Sequence, residues 1–141
     1  MIKTALGFIF TPDFKQVLLI GKNRPQWQVG KINGVGGKCE ANESFEECIS
    51  REVKEEANVL IPPAKWREIA TLHWQEWEAK VLAAIWSGSV NEVKSLTDEK
   101  VAWFPVSQLP SNVMANLKWL IPLSIDALQT QEIAVVEVHY E

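Results

Sequence analysis

Cysteine and histidine are scarce in this 141-residue chain: Cys39, Cys48, His73 and His139 are all there is. The cysteines stand nine apart with no C-x-x-C, and the histidines are isolated. This spacing argues against a zinc site and against a disulfide framework. Two reduced thiols fit a cytoplasmic protein, and Cys48 reads as core. Positive charge is also short, with 14 Lys and Arg against 18 Asp and Glu, a net charge of −4. No basic stripe is present, so the chain lacks the electrostatic footprint of a nucleic-acid binder. The apolar run at 6–10 is too short for a membrane span or a secretory segment, and it ends in a turn at Thr11, Pro12 and Asp13. No internal repeat and no low-complexity linker divides the chain. We expect one domain over residues 1–141, with no membrane partner.

What remains is ordinary globular usage, 47% apolar and 23% charged, with seven tryptophans as the one excess. The most informative stretch runs from Gly36 to Val59. A glycine pair, Gly36 and Gly37, opens what reads as a loop. Ser44 is a good N-cap, and Glu47 three residues later completes a capping box. No proline or glycine follows before Asn58, a residue able to end a helix in the left-handed conformation.

Phe45, Cys48, Ile49 and Val53 form one apolar stripe on this helix. Glu52, Glu55 and Glu56 fall on the same side in the last two turns. Glu47 and Arg51 are placed for an i, i+4 pair on the opposite face. Three carboxylates at i, i+3 and i, i+4 repel one another, and the macrodipole at a helix C-terminus disfavours them further. A solvated acidic face is the plain alternative. Their place on the apolar side, beside glycines, points instead to a hard divalent cation with oxygen ligands, Mg²⁺ or Mn²⁺.

These residues resemble the Nudix box, G-x5-E-x7-R-E-U-x-E-E-x-G-U with U aliphatic. Gly37, Glu43, Arg51, Glu52, Val53, Glu55, Glu56 and Val59 match it, and Asn58 replaces a glycine. The resemblance implies that Glu52, Glu55 and Glu56 are metal ligands, joined by the Gly36 carbonyl. It implies catalytic duty for these glutamates and Arg51, with Gly37 and Glu43 as structural support and Arg51 paired to Glu43.

Along the chain, 4–10 and 16–20 read as a hairpin around a turn at 11–15. Lys22 and Arg24 follow in a polar loop, where they are either phosphate contacts or plain surface charges. Trp27 lies in the same loop and is either a base-stacking platform or core. Trp66, Trp86, Trp103 and Trp119 sit in apolar segments and read as core. After Pro62 and Pro63, 65–74 and 78–86 read as strands, 88–96 as a loop, and 100–104 as a short strand. Residues 112–129 read as a second helix that Pro122 should kink or break. A last strand at 131–140 returns to the sheet. The fold class is α/β, a mixed sheet between helices, and the resemblance implies the same α/β/α sandwich.

The resemblance further implies a (d)NTP pyrophosphohydrolase that releases a nucleoside monophosphate and pyrophosphate. ADP-ribose or a dinucleotide is the alternative substrate, and a non-catalytic nucleotide-binding domain a more distant one. Asn33 matches an asparagine that contacts the base in the nucleotide-cleaning branch, although a turn-forming role is equally open. Lys38 would meet phosphate, and Glu99 would add a metal carboxylate, although an exposed loop acid is equally open. Asn116 stands near where oxidised-purine cleaners carry a base-reading acid; an amide there counts against oxidised-guanine specificity.

Overall fold

The computed structural model describes all residues from 1 to 141. Eight strands form one sheet: β1 (Ile2–Phe10), β2 (Gln16–Gly21), β3 (Ile32–Asn33), β4 (Val35–Lys38), β5 (Arg67–Trp74), β6 (Trp77–Ile85), β7 (Val101–Pro105) and β8 (Val136–His139). The path is β3-β2-β1-β6-β5-β8, with β4 on β1 and β7 on β2. The β1–β6 and β5–β8 pairs are parallel and the others antiparallel, so the sheet is mixed as expected.

Alternation along each strand gives the sheet two apolar faces. Ala5, Ile9, Leu18, Ile20 and Leu82 face one way and meet α1 (Phe45–Ala57) through Cys48, Ile49, Val53 and Ala57. Phe8, Phe10, Val17, Leu19 and Val81 face the other way and meet α2 (Leu117–Thr130) through Leu117, Leu120, Ile121 and Ala127. A sheet buried on both faces needs a helix on each, which is the sandwich.

Helix α1 begins and ends where local chemistry dictates. Ser44 Oγ accepts from the Glu47 amide at 3.0 Å, and Glu47 Oε1 accepts from the Ser44 amide at 2.9 Å. Asn58 closes it at φ 59°, ψ 32°. The expected Glu47–Arg51 pair does not form, because Glu47 is engaged in the capping box and Arg51 turns to Glu43.

Three other expectations are corrected. The segment holding Gly36 and Gly37 is a strand rather than a loop, paired to β1 with Leu6 opposite Gly36 and Ala5 opposite Gly37. β1 pairs with β2 only at Ile9 and Phe10; β3 then holds β2 while β4 holds β1. Secondly, α2 starts at Leu117, because Val113 bridges to Ile32 and Met114 N–H donates to Ile32 O at 2.8 Å. The helix runs through Pro122 without a break. Thirdly, Trp119 is exposed on the outer side of α2, so its segment's apolar character misplaces it. No helix is long and apolar enough to cross a membrane.

Candidate metal and nucleotide site

The acidic end of α1 lies against the backbone of β4. A Cβ on Gly37 would sit 2.6 Å from Glu52 Oε1, and one on Gly36 would sit 1.9 Å from Ala5 O. Glycine is therefore required by close packing of strand, helix and neighbouring strand, not by a turn.

Arg51 organises one half of the site. Its Nε donates to Glu43 Oε2 at 2.7 Å and its Nη2 to Glu43 Oε1 at 2.9 Å, a bidentate fork. Nη1 donates to Glu52 Oε1 at 3.0 Å and to Glu55 Oε2 at 3.3 Å, and Nη2 also donates to Lys38 O at 3.1 Å. The guanidinium holds the Glu43 carboxyl down at about 2. Burial pushes Glu52 up, partly countered by Arg51. Glu55 is the exposed member of the trio.

Glu99 organises the other half. It is 4% exposed and accepts from Lys22 Nζ at 3.2 Å, from the Asn23 amide at 2.6 Å and from the Arg24 amide at 3.3 Å. It thus pins the 22–24 loop to the start of β7. Arg24 itself pairs with exposed Asp98. Both loop cations are therefore engaged by acids, which aligns them but reduces the free positive charge they offer a phosphate.

Glu56 lies between these halves. It is 8% exposed, and its Oε1 is buried with no hydrogen-bond partner. Burial and then the Glu52 and Glu99 charges push its carboxyl up to about 8; Lys22 and the Gly36 amide counter this only in part. An orphaned buried acceptor costs about 1–3 kcal/mol, more when charged. Glu52, Glu55, Glu56, Glu99 and the β4 backbone supply oxygen donors only, the set that Mg²⁺ or Mn²⁺ takes. A cation among them would satisfy Oε1 and reverse the mutual repulsion, so the residues fit such an ion.

The remaining site candidates fall in two places. Trp27 sits on a short 3-10 turn (Gln26–Gln28) and is 61% exposed, so it is not core. Asn33 is tied down, its Nδ2 donating to Gln28 Oε1 at 3.0 Å and its Oδ1 accepting from the Gly34 amide at 2.8 Å. Lys38 and Asn116 belong to the α2 face of the sheet. Lys38 Nζ lies 5.5 Å from the centre of the Trp77 ring. Trp77 stacks parallel on Trp74 at 5.9 Å, and Tyr140 meets Trp74 edge-on at 6.2 Å. Asn116 Nδ2 donates to Tyr140 Oη at 3.4 Å, and Asn116 Oδ1 is buried without a partner. Sequence reasoning missed Trp74, Trp77 and Tyr140. The signal was present: a Trp-Gln-Glu-Trp run across a two-residue turn places both rings on one face.

Carboxylates on one helix face, a glycine strand against them and an aromatic wall beyond lie together in an α/β/α sandwich. The family model of the NUDIX domain matches residues 1–123, and the chain belongs to that family of hydrolases. Nudix hydrolases generally use divalent metals. Among solved structures, an ADP-ribose pyrophosphatase from Streptococcus suis superposes with a TM-score of 0.74 at 19% identity, covering 96% of this chain and 98% of that one. A MutT NUDIX hydrolase from Burkholderia pseudomallei gives 0.71 at 20% identity, covering 86% and 96%. A MutT described for Aliivibrio salmonicida and Vibrio cholerae gives 0.68 at 19%, covering 89% and 98%. No curated protein matches the sequence closely enough to count as a relative.

Proposed function

We propose that the chain, as one Nudix domain, is a divalent-metal-dependent (d)NTP pyrophosphohydrolase that yields a nucleoside monophosphate and pyrophosphate. The observation that carries this reading is Glu56, a buried carboxylate with an orphaned oxygen among other acids. Glu52, Glu55, Glu56 and Glu99, with the Gly36 carbonyl, would hold Mg²⁺ or Mn²⁺. When bound, such an ion offsets phosphate charge and lowers the pKa of a water poised for in-line attack on phosphorus.

The chain's own residues do the rest. Arg51 fixes the Glu52 and Glu55 carboxylates by the Nη1 contacts and is itself fixed by Glu43. One of the site glutamates, or Glu99, takes the proton of the attacking water. Lys22 and Arg24, already aligned by Glu99 and Asp98, face the phosphate chain from the 22–24 loop. β4 runs between the carboxylates and the Trp74–Trp77 wall. Lys38 and Asn116 at that wall suit a base and its phosphate, with the free Asn116 Oδ1 as an acceptor for a base N–H. Trp27 offers an exposed stacking surface, and Asn33 holds the turn between β3 and β4 through its Gln28 and Gly34 bonds.

A panel of nucleoside triphosphates, their oxidised forms, ADP-ribose and dinucleotides tests this, read by released product with Mg²⁺ or Mn²⁺. ADP-ribose is included because the neighbour from S. suis is named for it. The triphosphates should turn over fastest, giving pyrophosphate. Faster turnover of ADP-ribose would reassign the substrate. Turnover unaffected by a chelator, or none across the panel, would sink the enzymatic reading.

A further inference from the structure

The two cysteines that stand nine apart in sequence meet in space. Cys39 follows β4 directly, its amide donating to Lys3 O at 2.8 Å, and Cys48 lies at the end of the first turn of α1. Cys39 Sγ, Cys48 Sγ and a Glu43 carboxylate oxygen all lie within 4.8 Å of one another. Cys48 is fully buried, and Cys39 is half-buried with one side towards solvent. We propose that Cys39, Cys48 and Glu43 form a second metal site, selective for a thiophilic divalent ion such as Zn²⁺ or Cd²⁺ and separate from the all-oxygen site.

The donor set decides the selectivity. Two sulfurs with one oxygen suit a borderline or soft ion and reject Mg²⁺, whereas the glutamate cluster of α1 does the opposite. Zn–S bonds of about 2.3 Å place tetrahedral ligands roughly 3.8 Å apart. The sulfur and carboxylate donors lie within 4.8 Å of one another, so they need to close by only about an ångström, with Glu43 shifting from Arg51 and a water completing the four. Binding exchanges protons for metal: each thiol loses its hydrogen to solvent, two protons per ion, and two S–M bonds form. Oxidation to a disulfide is the competing use of such a pair. Burial raises both thiols above the usual range, which leaves little free thiolate to attack an oxidant. A bound cation supplies its own driving force for deprotonation.

The neighbourhood accommodates the charge. Arg51 Nη2 lies 4.0 Å from Cys48 Sγ, where it can donate to a metal-bound thiolate, and Cys48 Sγ now lies 3.7 Å from Gly37 O. Glu43 is held by Arg51, so an ion here would compete with the guanidinium for that carboxylate. This couples the second site to the residue that positions Glu52, whatever the substrate of the family site proves to be.

The test titrates the full chain with Cd²⁺, under a phosphine reductant and in excess Mg²⁺, following thiolate-to-metal charge transfer in the ultraviolet. We expect one ion per chain with a saturating band. Cys39→Ser and Cys48→Ala should each abolish the band and weaken binding more than roughly tenfold; Glu43→Gln should keep the band and weaken binding by about tenfold. Thermal melts check that each variant is folded, and the half-buried Cys39 makes its variant the decisive one. Absence of the band, its survival in Cys39→Ser, one ion shared by two chains, or unchanged affinity in Glu43→Gln would overturn the site. Cd²⁺ taken up by the α1 glutamates gives no such band.

Discussion

Two carboxylates at opposite ends of α1 stand in opposite electrostatic states. Glu43, just before the helix, is clasped by the Nε–Nη2 edge of the Arg51 guanidinium and held at about 2. Glu56, in the last turn, is buried deeper, faces other acids, and is pushed up to about 8. Sequence gives them the same chemistry, yet one is satisfied by the protein and the other is not. Glu43 is thus equipped to support structure, while Glu56 is poised to receive something the chain does not contain. The comparison predicts opposite outcomes when each is neutralised.

The largest effect should come from Glu56→Gln, which should lower turnover in Mg²⁺ at least about 100-fold, because an amide poorly replaces an anionic ligand of a hard cation. Stability should behave differently. The folded pKa of Glu56 lies above its unfolded value near 4.5, so between those values the native state binds a proton that the unfolded chain has released. Stability without metal should therefore fall as pH rises from about 5 to 8, by something on the order of a few kcal/mol, and level off above. Glu56→Gln should remove that slope and melt at least as high as the parent at pH 8 in chelator. Melts across pH, with chelator and with Mg²⁺, measure this; a variant that melts far below the parent without metal would show that Glu56 holds the fold together.

Glu43→Gln should invert the pattern. Its folded pKa is depressed, so its contribution is complete above the unfolded value and vanishes as pH falls through about 2. Losing this charged pair should cost about 1–3 kcal/mol at pH 7 and far less near pH 2. Turnover should drop by roughly 10–100-fold because Arg51 no longer positions Glu52. Equal destabilisation at both pH values would break the assignment of Glu43 to Arg51.

A smaller effect separates the tryptophans. Trp27 is exposed, so Trp27→Ala should leave the melt within about 0.5 kcal/mol of the parent. It should raise KM for a nucleotide by the equivalent of roughly 1–3 kcal/mol with kcat little changed. An unchanged KM would transfer base stacking to the Trp74–Trp77 wall. The smallest change should follow Glu47→Gln: glutamine still fits a capping box, so stability should fall by only a few tenths of a kcal/mol, with near-full turnover. A large loss of activity there would extend the site to the outer face of α1.

Much of this protein was determined by short-range sequence. The capping box at Ser44 and Glu47, the Asn58 stop, the apolar stripe and the glutamates on the same side as that stripe all follow from 3.6-residue periodicity and local hydrogen bonding, which need no tertiary partner. Alternation along the strands likewise fixed a sheet buried on both faces. Tertiary structure decided the rest, because it depends on which distant segments meet. Gly36 and Gly37 are a strand because β1 offers a pairing edge. Arg51 abandons Glu47 because the capping box claims that side chain and Glu43 lies within reach of the guanidinium. Cys39 reaches Cys48 only because β4 packs on α1, and Trp74 and Tyr140 meet only because β8 returns parallel to β5. Above all, the state of Glu56 is a matter of burial and through-space charge: Glu52 is its i, i+4 neighbour on α1, but Lys22 and Glu99 stand far off in sequence, and only the fold brings them to it.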